Sequence, residues 1–176
     1  DSQDPVLLFN LAFATDGYIF WKKEADSRSS FSHFQFQAEV RGPKAALSLM
    51  NFIFLDSGTS AQIVESFQEP EESGPRMTQA LSVVTLGKNA KLALARTQSE
   101  VDQVIHLGSI HANQEEGSEL KLLSLSLGGL WSRQNWKVCQ SGSDASTQLL
   151  GISLCRSGQH HDHRLEMQHQ AERGLN

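Results

Sequence analysis

Asp56, Ser57, Gly58 and Thr59 close an apolar run, Phe52-Ile53-Phe54-Leu55, and a second alternating run, Ala61-Gln62-Ile63-Val64, follows. A carboxylate in that setting can act as one half of a pair sharing a proton. A chain with one such motif supplies the pair only by dimerising. Leu149-Leu150-Gly151 would then stand as the apolar pair and glycine that accompany such a site. The same four residues are also turn formers, because Asp and Ser hydrogen-bond their own backbone and Gly accepts positive φ. Alternation on both sides reads as strand, turn, strand. The turn is the preferred reading, and no catalytic residue is expected.

Other ligand-type residues gather late in the chain. His160-His161-Asp162-His163, with His169 beyond, offers zinc or nickel donors, but on one polar run near a terminus rather than on two rigid elements. It reads as a solvated tail from about residue 157 that chelates metal only adventitiously. Cys139 and Cys155 make neither a zinc ribbon nor a Cys-x-x-Cys centre. They are either two reduced thiols in a cytosolic protein or one local disulfide in an oxidising compartment. Trp131 and Trp136 flank Ser132-Arg133-Gln134-Asn135; exposed, they would stack on a ligand with Arg133 and Asn135 beside them, and otherwise they pack. Trp21 follows an apolar strand and is expected at the core or its rim. No nucleophile elbow, dinucleotide fingerprint or phosphate loop is present.

These residues need a frame. The 176 residues fit one domain, residues 1–176, with a sizeable core. A net charge of −5 argues against a nucleic-acid partner. No apolar run is long enough to insert in a membrane. No secretory signal is visible at the start, and a mature secreted chain reads the same way.

The dominant period is two. His33 to Arg41 alternates cleanly, with Phe34, Phe36, Ala38 and Val40 on one face. Val6 to Phe13, Tyr18 to Trp21, Ala45 to Leu55, the run from Ala61, Val101 to Leu107 and Leu120 to Leu127 are further strand candidates. Leu81 to Leu86 and Ala90 to Ala95 read as a hairpin about Gly87-Lys88-Asn89. Gly42-Pro43, Glu69 to Arg76 and the serines from Ser27 to Ser32 read as loops. Only His163 to Arg173 suggests a helical turn or two. Ten to twelve short strands without an internal repeat predict an all-β antiparallel two-sheet sandwich of jelly-roll type.

In order, these segments resemble a laminin G-like domain, a concanavalin-like sandwich. Gly17-Tyr18-Ile19-Phe20-Trp21, His33 to Arg41, Asp56-Ser57-Gly58-Thr59 with Ala61 to Val64, the hairpin, and Leu125 to Leu130 with Gly128-Gly129 carry the resemblance, as does Leu165 to Ala171. Ser73-Gly74-Pro75-Arg76-Met77 departs from the family's Asp-Gly-x-Trp-His. The resemblance implies a secreted, extracellular recognition module without enzymatic activity, binding cell-surface or matrix glycans and glycoproteins through rim loops. It also implies a calcium site at the rim, for which Asp56 and Glu119 are the candidate ligands. Lys22-Lys23 and Arg41-Lys44 are the only hints of a basic patch. Two alternatives are a carrier of a steroid or other small apolar ligand, lined by Ala45 to Phe52, and a dimeric retropepsin-like aspartic protease using Asp56.

Overall fold

A computed structural model of the chain describes residues 5–24, 32–39, 46–68, 76–171 and 173. The turn at Gly42-Pro43, the loop from Glu69 to Pro75, the serines from Ser27 to Ser30, and Arg41 and Lys44 lie outside the described residues.

Among the described residues, eleven strands follow one short helix. The helix α1 spans Pro5–Phe13, and the first strands are β1 Ile19–Lys22, β2 Ser32–Glu39, β3 Ala46–Leu55 and β4 Ser60–Gln68. Next come β5 Arg76–Leu86, β6 Lys91–Ser99, β7 Val104–Gln114 and β8 Glu119–Ser126. The last are β9 Trp131–Gln140, β10 Ser146–Ser153 and β11 His160–His169. Consecutive strands never pair. The odd strands form one sheet in the order β1-β3-β5-β7-β9-β11, and the even strands a second in the order β10-β8-β6-β4-β2. Every pairing is parallel.

The chain therefore winds as a parallel β-solenoid, and the expected antiparallel jelly-roll sandwich is overturned. Strand parity was right and its consequence was not, because alternation reports which face is buried and is silent on a neighbour's direction. The coil length hid the repeat. Ala46 lies beside Met77, Met77 beside Ile105, Ile105 beside Trp131 and Trp131 beside His160, so successive coils differ in length. The supposed hairpin at Gly87-Lys88-Asn89 is an arc carrying the chain from one sheet to the other. Such arcs stack: Gly58 N–H donates to Lys88 O, Asn89 N–H to Glu116 O, and Gly117 N–H to Ser143 O. Gly58 (φ 69°) and Asn89 (φ 56°) supply the left-handed residues these arcs need.

Two ends of the chain also depart from expectation. Val6 to Phe13 forms a helix rather than a strand. Pro5 suits the first helical position, and an apolar run without clear period fits either element. Asn10 anchors α1 across β3, its Nδ2 donating to Ser48 Oγ (3.2 Å) and Leu49 O (3.1 Å). His163 to Arg173 is no helical turn and the histidine run no solvated tail, since residues 160–169 pair in register with β9. Trp21, expected at the core or its rim, is outward and 57% exposed.

Parallel strands close together a mixed interior. One half is apolar, with Ile53, Leu55, Ile63, Leu86, Leu92 and Leu122 among its buried members. Among the described residues it leaves no intersheet lining from Ala46 to Phe52 of the kind a steroid carrier needs, because the inward side chains of β3 are packed here; Ala45 lies outside the described residues. The other half holds polar side chains at inward positions. The first coils are closed by aromatic rings, Tyr18 lying 5.0 Å from Phe34 and 4.9 Å from Phe36. Among the described residues no helix is long and apolar enough to cross a membrane.

Candidate functional site

Two polar clusters occupy the interior. In the first, Glu65 on β4 and Arg96 on β6 are next to each other in register and both side chains are fully buried. Arg96 donates through Nε (2.8 Å) and Nη2 (2.6 Å) to Glu65 Oε2. Tyr18 OH (2.7 Å), Asn51 Nδ2 (3.0 Å) and Ser82 Oγ (2.6 Å) donate to Oε1. Burial pulls the Glu65 carboxyl upward, but the Arg96 charge and these hydrogen bonds outweigh it and hold it below its ordinary value. Burial, then the Glu65 charge, raises the Tyr18 phenol. The cluster ties the aromatic cap to three later coils. Its chemistry is that of a satisfied structural ion pair.

In the second cluster, His106 Nδ1 lies 2.8 Å from Glu100 Oε2, which also accepts from Gln98 Nε2 at 3.0 Å. Burial raises the Glu100 carboxyl, and His106 with hydrogen bonds from Thr78 and Gln98 more than reverses this. Gly128 passes so close that a Cβ there would stand 2.0 Å from the Glu100 carbonyl oxygen. Gly128 O in turn accepts from His161 Nε2 at 3.0 Å, which links this cluster to the last strand. Farther along, buried Ser124, Ser126, Ser132 and Gln134 carry side-chain polar atoms that have no partner among the described residues.

The polar half continues to β11. His161, His163, Leu165, Met167 and His169 on β11 continue the inward rows of β9, beside Ser132, Gln134, Trp136, Val138 and Gln140. Ser153 Oγ and His163 Nε2 share a hydrogen bond of 2.9 Å, and the His163 ring meets Trp136 edge-on at 6.1 Å. Burial lowers the His163 pKa, His161 adds to this, and Asp162 opposes it. A cavity of about 600 Å³ between β10 and β11 is lined by Thr147, Gln148, Leu149, Leu150, Leu165 and Met167. His161 and His163 are neighbours on the inward row of β11, the first half-buried and the second exposed, so this face is the candidate site.

The residues singled out in the sequence are distributed differently. Trp131, Arg133 and Asn135 share the outer face of β9, where the Arg133 guanidinium lies 5.0 Å from the Trp131 ring centre. Arg133 pairs with Asp162 at 2.8 Å, and Arg133 and Asn135 line an outer pocket of about 310 Å³ with Arg164. Trp136 has the opposite parity and points inward, only 6% exposed. Asp56 sits on the arc after β3 and accepts from Trp21 Nε1 (2.9 Å) and the Glu24 N–H (3.3 Å). Glu119 pairs with Lys91 at 2.7 Å. Among the described residues no group of three or more His, Cys, Asp or Glu is placed to hold a metal ion. Cys139 and Cys155 are free thiols, the first half-buried and the second exposed. Lys22 Nζ donates to Ser60 O at 2.9 Å, while Lys23 lies over Trp21.

The comparisons with known proteins assign the family. Residues 37–175 match the family described as SUF system FeS cluster assembly, SufBD core domain. The chain belongs to this SufBD core family. It is 34% identical over 104 residues to Protein ABCI7, chloroplastic, of Arabidopsis thaliana, which covers 59% of this chain and 22% of that protein. It is 22% identical over 153 residues to the iron-sulfur cluster assembly SufBD family protein slr0076 of Synechocystis, covering 82% of this chain and 34% of that protein. The chain thus spans about a third or less of the length of these curated relatives. No solved structure matches it.

These findings replace the laminin G-like resemblance. The extracellular adhesion module, its matrix and cell-surface glycan partners, the steroid carrier and the retropepsin-like protease are all withdrawn. So is the secreted localisation, since one relative is described as chloroplastic and another is cyanobacterial. The colinear motifs were turn chemistry and strand parity, which a solenoid shares with a sandwich.

Proposed function

We propose that this chain is the scaffold core of an iron–sulfur cluster assembly protein, and that the β11 face carrying His161 and His163 is the surface on which a partner from the same machinery docks. Iron and sulfide are its cargo. The chain positions them and carries out no bond chemistry through a nucleophile of its own.

One observation carries the reading: the inward row of β11 carries imidazoles, His163 and His169 exposed and His161 half-buried against Gly128 O. Three of the five inward side chains of that strand are His161, His163 and His169. Imidazole is a common iron ligand, and a donor set split between two chains lets a cluster form only where both are present. The lack of a complete donor group among the described residues fits a site finished by a partner. Free Cys139 and Cys155 suit a reducing compartment. Family membership supports the cargo.

The test is cellular. In cells that depend on the full-length protein carrying this chain, its removal lowers the activity of iron–sulfur enzymes and spares enzymes without clusters. A His161→Ala, His163→Ala double variant that still accumulates gives the same pattern. Undiminished iron–sulfur enzyme activity after removal would overturn the proposal.

A further inference from the structure

The outer face of the sheet of odd strands carries a hollow distinct from the histidine face. It holds about 310 Å³ and is lined by the start of α1 at Pro5 and Val6, by Ser109 on β7, by Arg133 and Asn135 on β9, and by Arg164 on β11. Parallel register brings these positions together. Ser109, Asn135 and Arg164 form one outward row, and Leu107, Arg133 and Asp162 form the next.

Positive charge is concentrated here, in a chain whose net charge is −5. Among the described residues that line the hollow there is no Asp or Glu to set against Arg133 and Arg164. One neighbouring carboxylate oxygen serves both guanidinium groups. Asp162 Oδ2 accepts from Arg133 Nε (2.8 Å) and Arg164 Nε (3.2 Å), and lies 2.8 Å from Arg133 Nη2. Two cations sharing one anion leave the cluster net positive.

The helix adds to this. α1 begins at the same hollow, and the N-terminal end of a helix carries partial positive charge. No acidic residue stands in its first turn to offset it. A helix start facing two guanidinium groups is unfavourable by itself, and an anion seated between them turns each repulsion into attraction.

The donors suit an oxyanion. A guanidinium group presents a planar fork of N–H donors that matches two oxygens of a phosphate, which a lysine ammonium does not. Arg133 is held for this role, its side chain only 22% exposed and its guanidinium 5.0 Å from the Trp131 ring centre. Donors fixed in advance lose little freedom on binding. Ser109, buried on the outward row, adds a hydroxyl. Small-molecule sites begin at about 300 Å³, so the hollow takes a phosphate group with a short organic stem.

We propose that this hollow binds the phosphate group of a small anionic ligand, held by Arg133 and Arg164 at the start of α1. The site is independent of the docking face proposed above, because the histidines at 161 and 163 have the opposite parity on β11.

Isothermal titration calorimetry of the purified full-length protein tests it, with inorganic phosphate and glycerol 3-phosphate as probes. Saturable binding of either at one site supports the proposal, and the ratio of the two affinities tells free phosphate from a phosphate ester. Arg164→Gln weakens binding about tenfold or more, the loss expected for one hydrogen bond to a charged group. Lys137 lies one outward row away and pairs with Glu166 at 3.1 Å. Lys137→Gln removes the same charge outside the hollow and leaves binding unchanged. Circular dichroism confirms that each variant is folded. No saturable heat with either probe, or equal losses in Arg164→Gln and Lys137→Gln, would overturn the proposal. So would binding that is seen only after Asp4→Asn, since the chain's own carboxylate would then be the ligand.

Discussion

Glu65 accepts five hydrogen bonds from four side chains and is fully buried, so its charge is tolerated only while Arg96 remains. Arg96→Met leaves that carboxylate unpaired and should cost about 3–5 kcal/mol in urea unfolding. Adding Glu65→Leu should recover part of the loss, because the stranded charge is gone. The same pair governs behaviour in acid. A carboxyl held below its ordinary value of 4.5 contributes stability that is complete above that pH and lost as pH falls through its folded value. Glu100 acts in the same direction. The urea midpoint should therefore decline below about pH 4.5, less steeply in the Glu65→Leu, Arg96→Met double variant. A trace of this cluster was legible. Glu65 follows Ala61 and Ile63 at the same parity, and Arg96 follows Leu92 and Leu94, so each charge falls on an apolar face. Charges so placed must find partners inside. Which charge meets which depended on coil length, and that parity does not encode.

The strands were the legible elements, and the arcs between them the illegible ones. β3 from Ala46 to Leu55 and β8 from Glu119 to Ser126 lie almost where alternation puts them. Asp56-Ser57-Gly58 is the turn expected from its composition, yet it bridges two sheets rather than reversing a chain within one. The Gly/Asn chemistry of a tight turn is the same in both cases, so the error followed from local rules applied correctly. The histidines of β11 were misread for a related reason: a polar run reads as solvated unless the coil it completes is known. Gly128 shows where the arcs are tightest. A methyl group there would overlap the Glu100 carbonyl at 2.0 Å, so Gly128→Ala should destabilise the fold by about 1–3 kcal/mol. It should also disturb the His161 contact to the same residue. Thermal unfolding beside the NMR chemical shifts of the His161 imidazole would register both effects.

As a whole, the described residues form a column of parallel coils, closed at the first coils by packed aromatic rings. Coils of unequal length conceal a repeat from sequence inspection, which is why a single sandwich domain was the natural expectation. The central claim is that the chain winds in parallel coils which place residues a full turn apart side by side. It sets Asn113 on β7 directly beside Cys139 on β9, both on the outer face. Neighbouring strands lie about 4.8 Å apart, within the Cα separation a disulfide spans. The decisive measurement is the mass of an Asn113→Cys, Cys155→Ser variant after mild oxidation of the folded protein. The parallel solenoid predicts an intramolecular disulfide between the thiol introduced on β7 and Cys139, seen as the loss of two hydrogens from a monomeric chain. Two thiols that remain free, or that link only between chains, would contradict it.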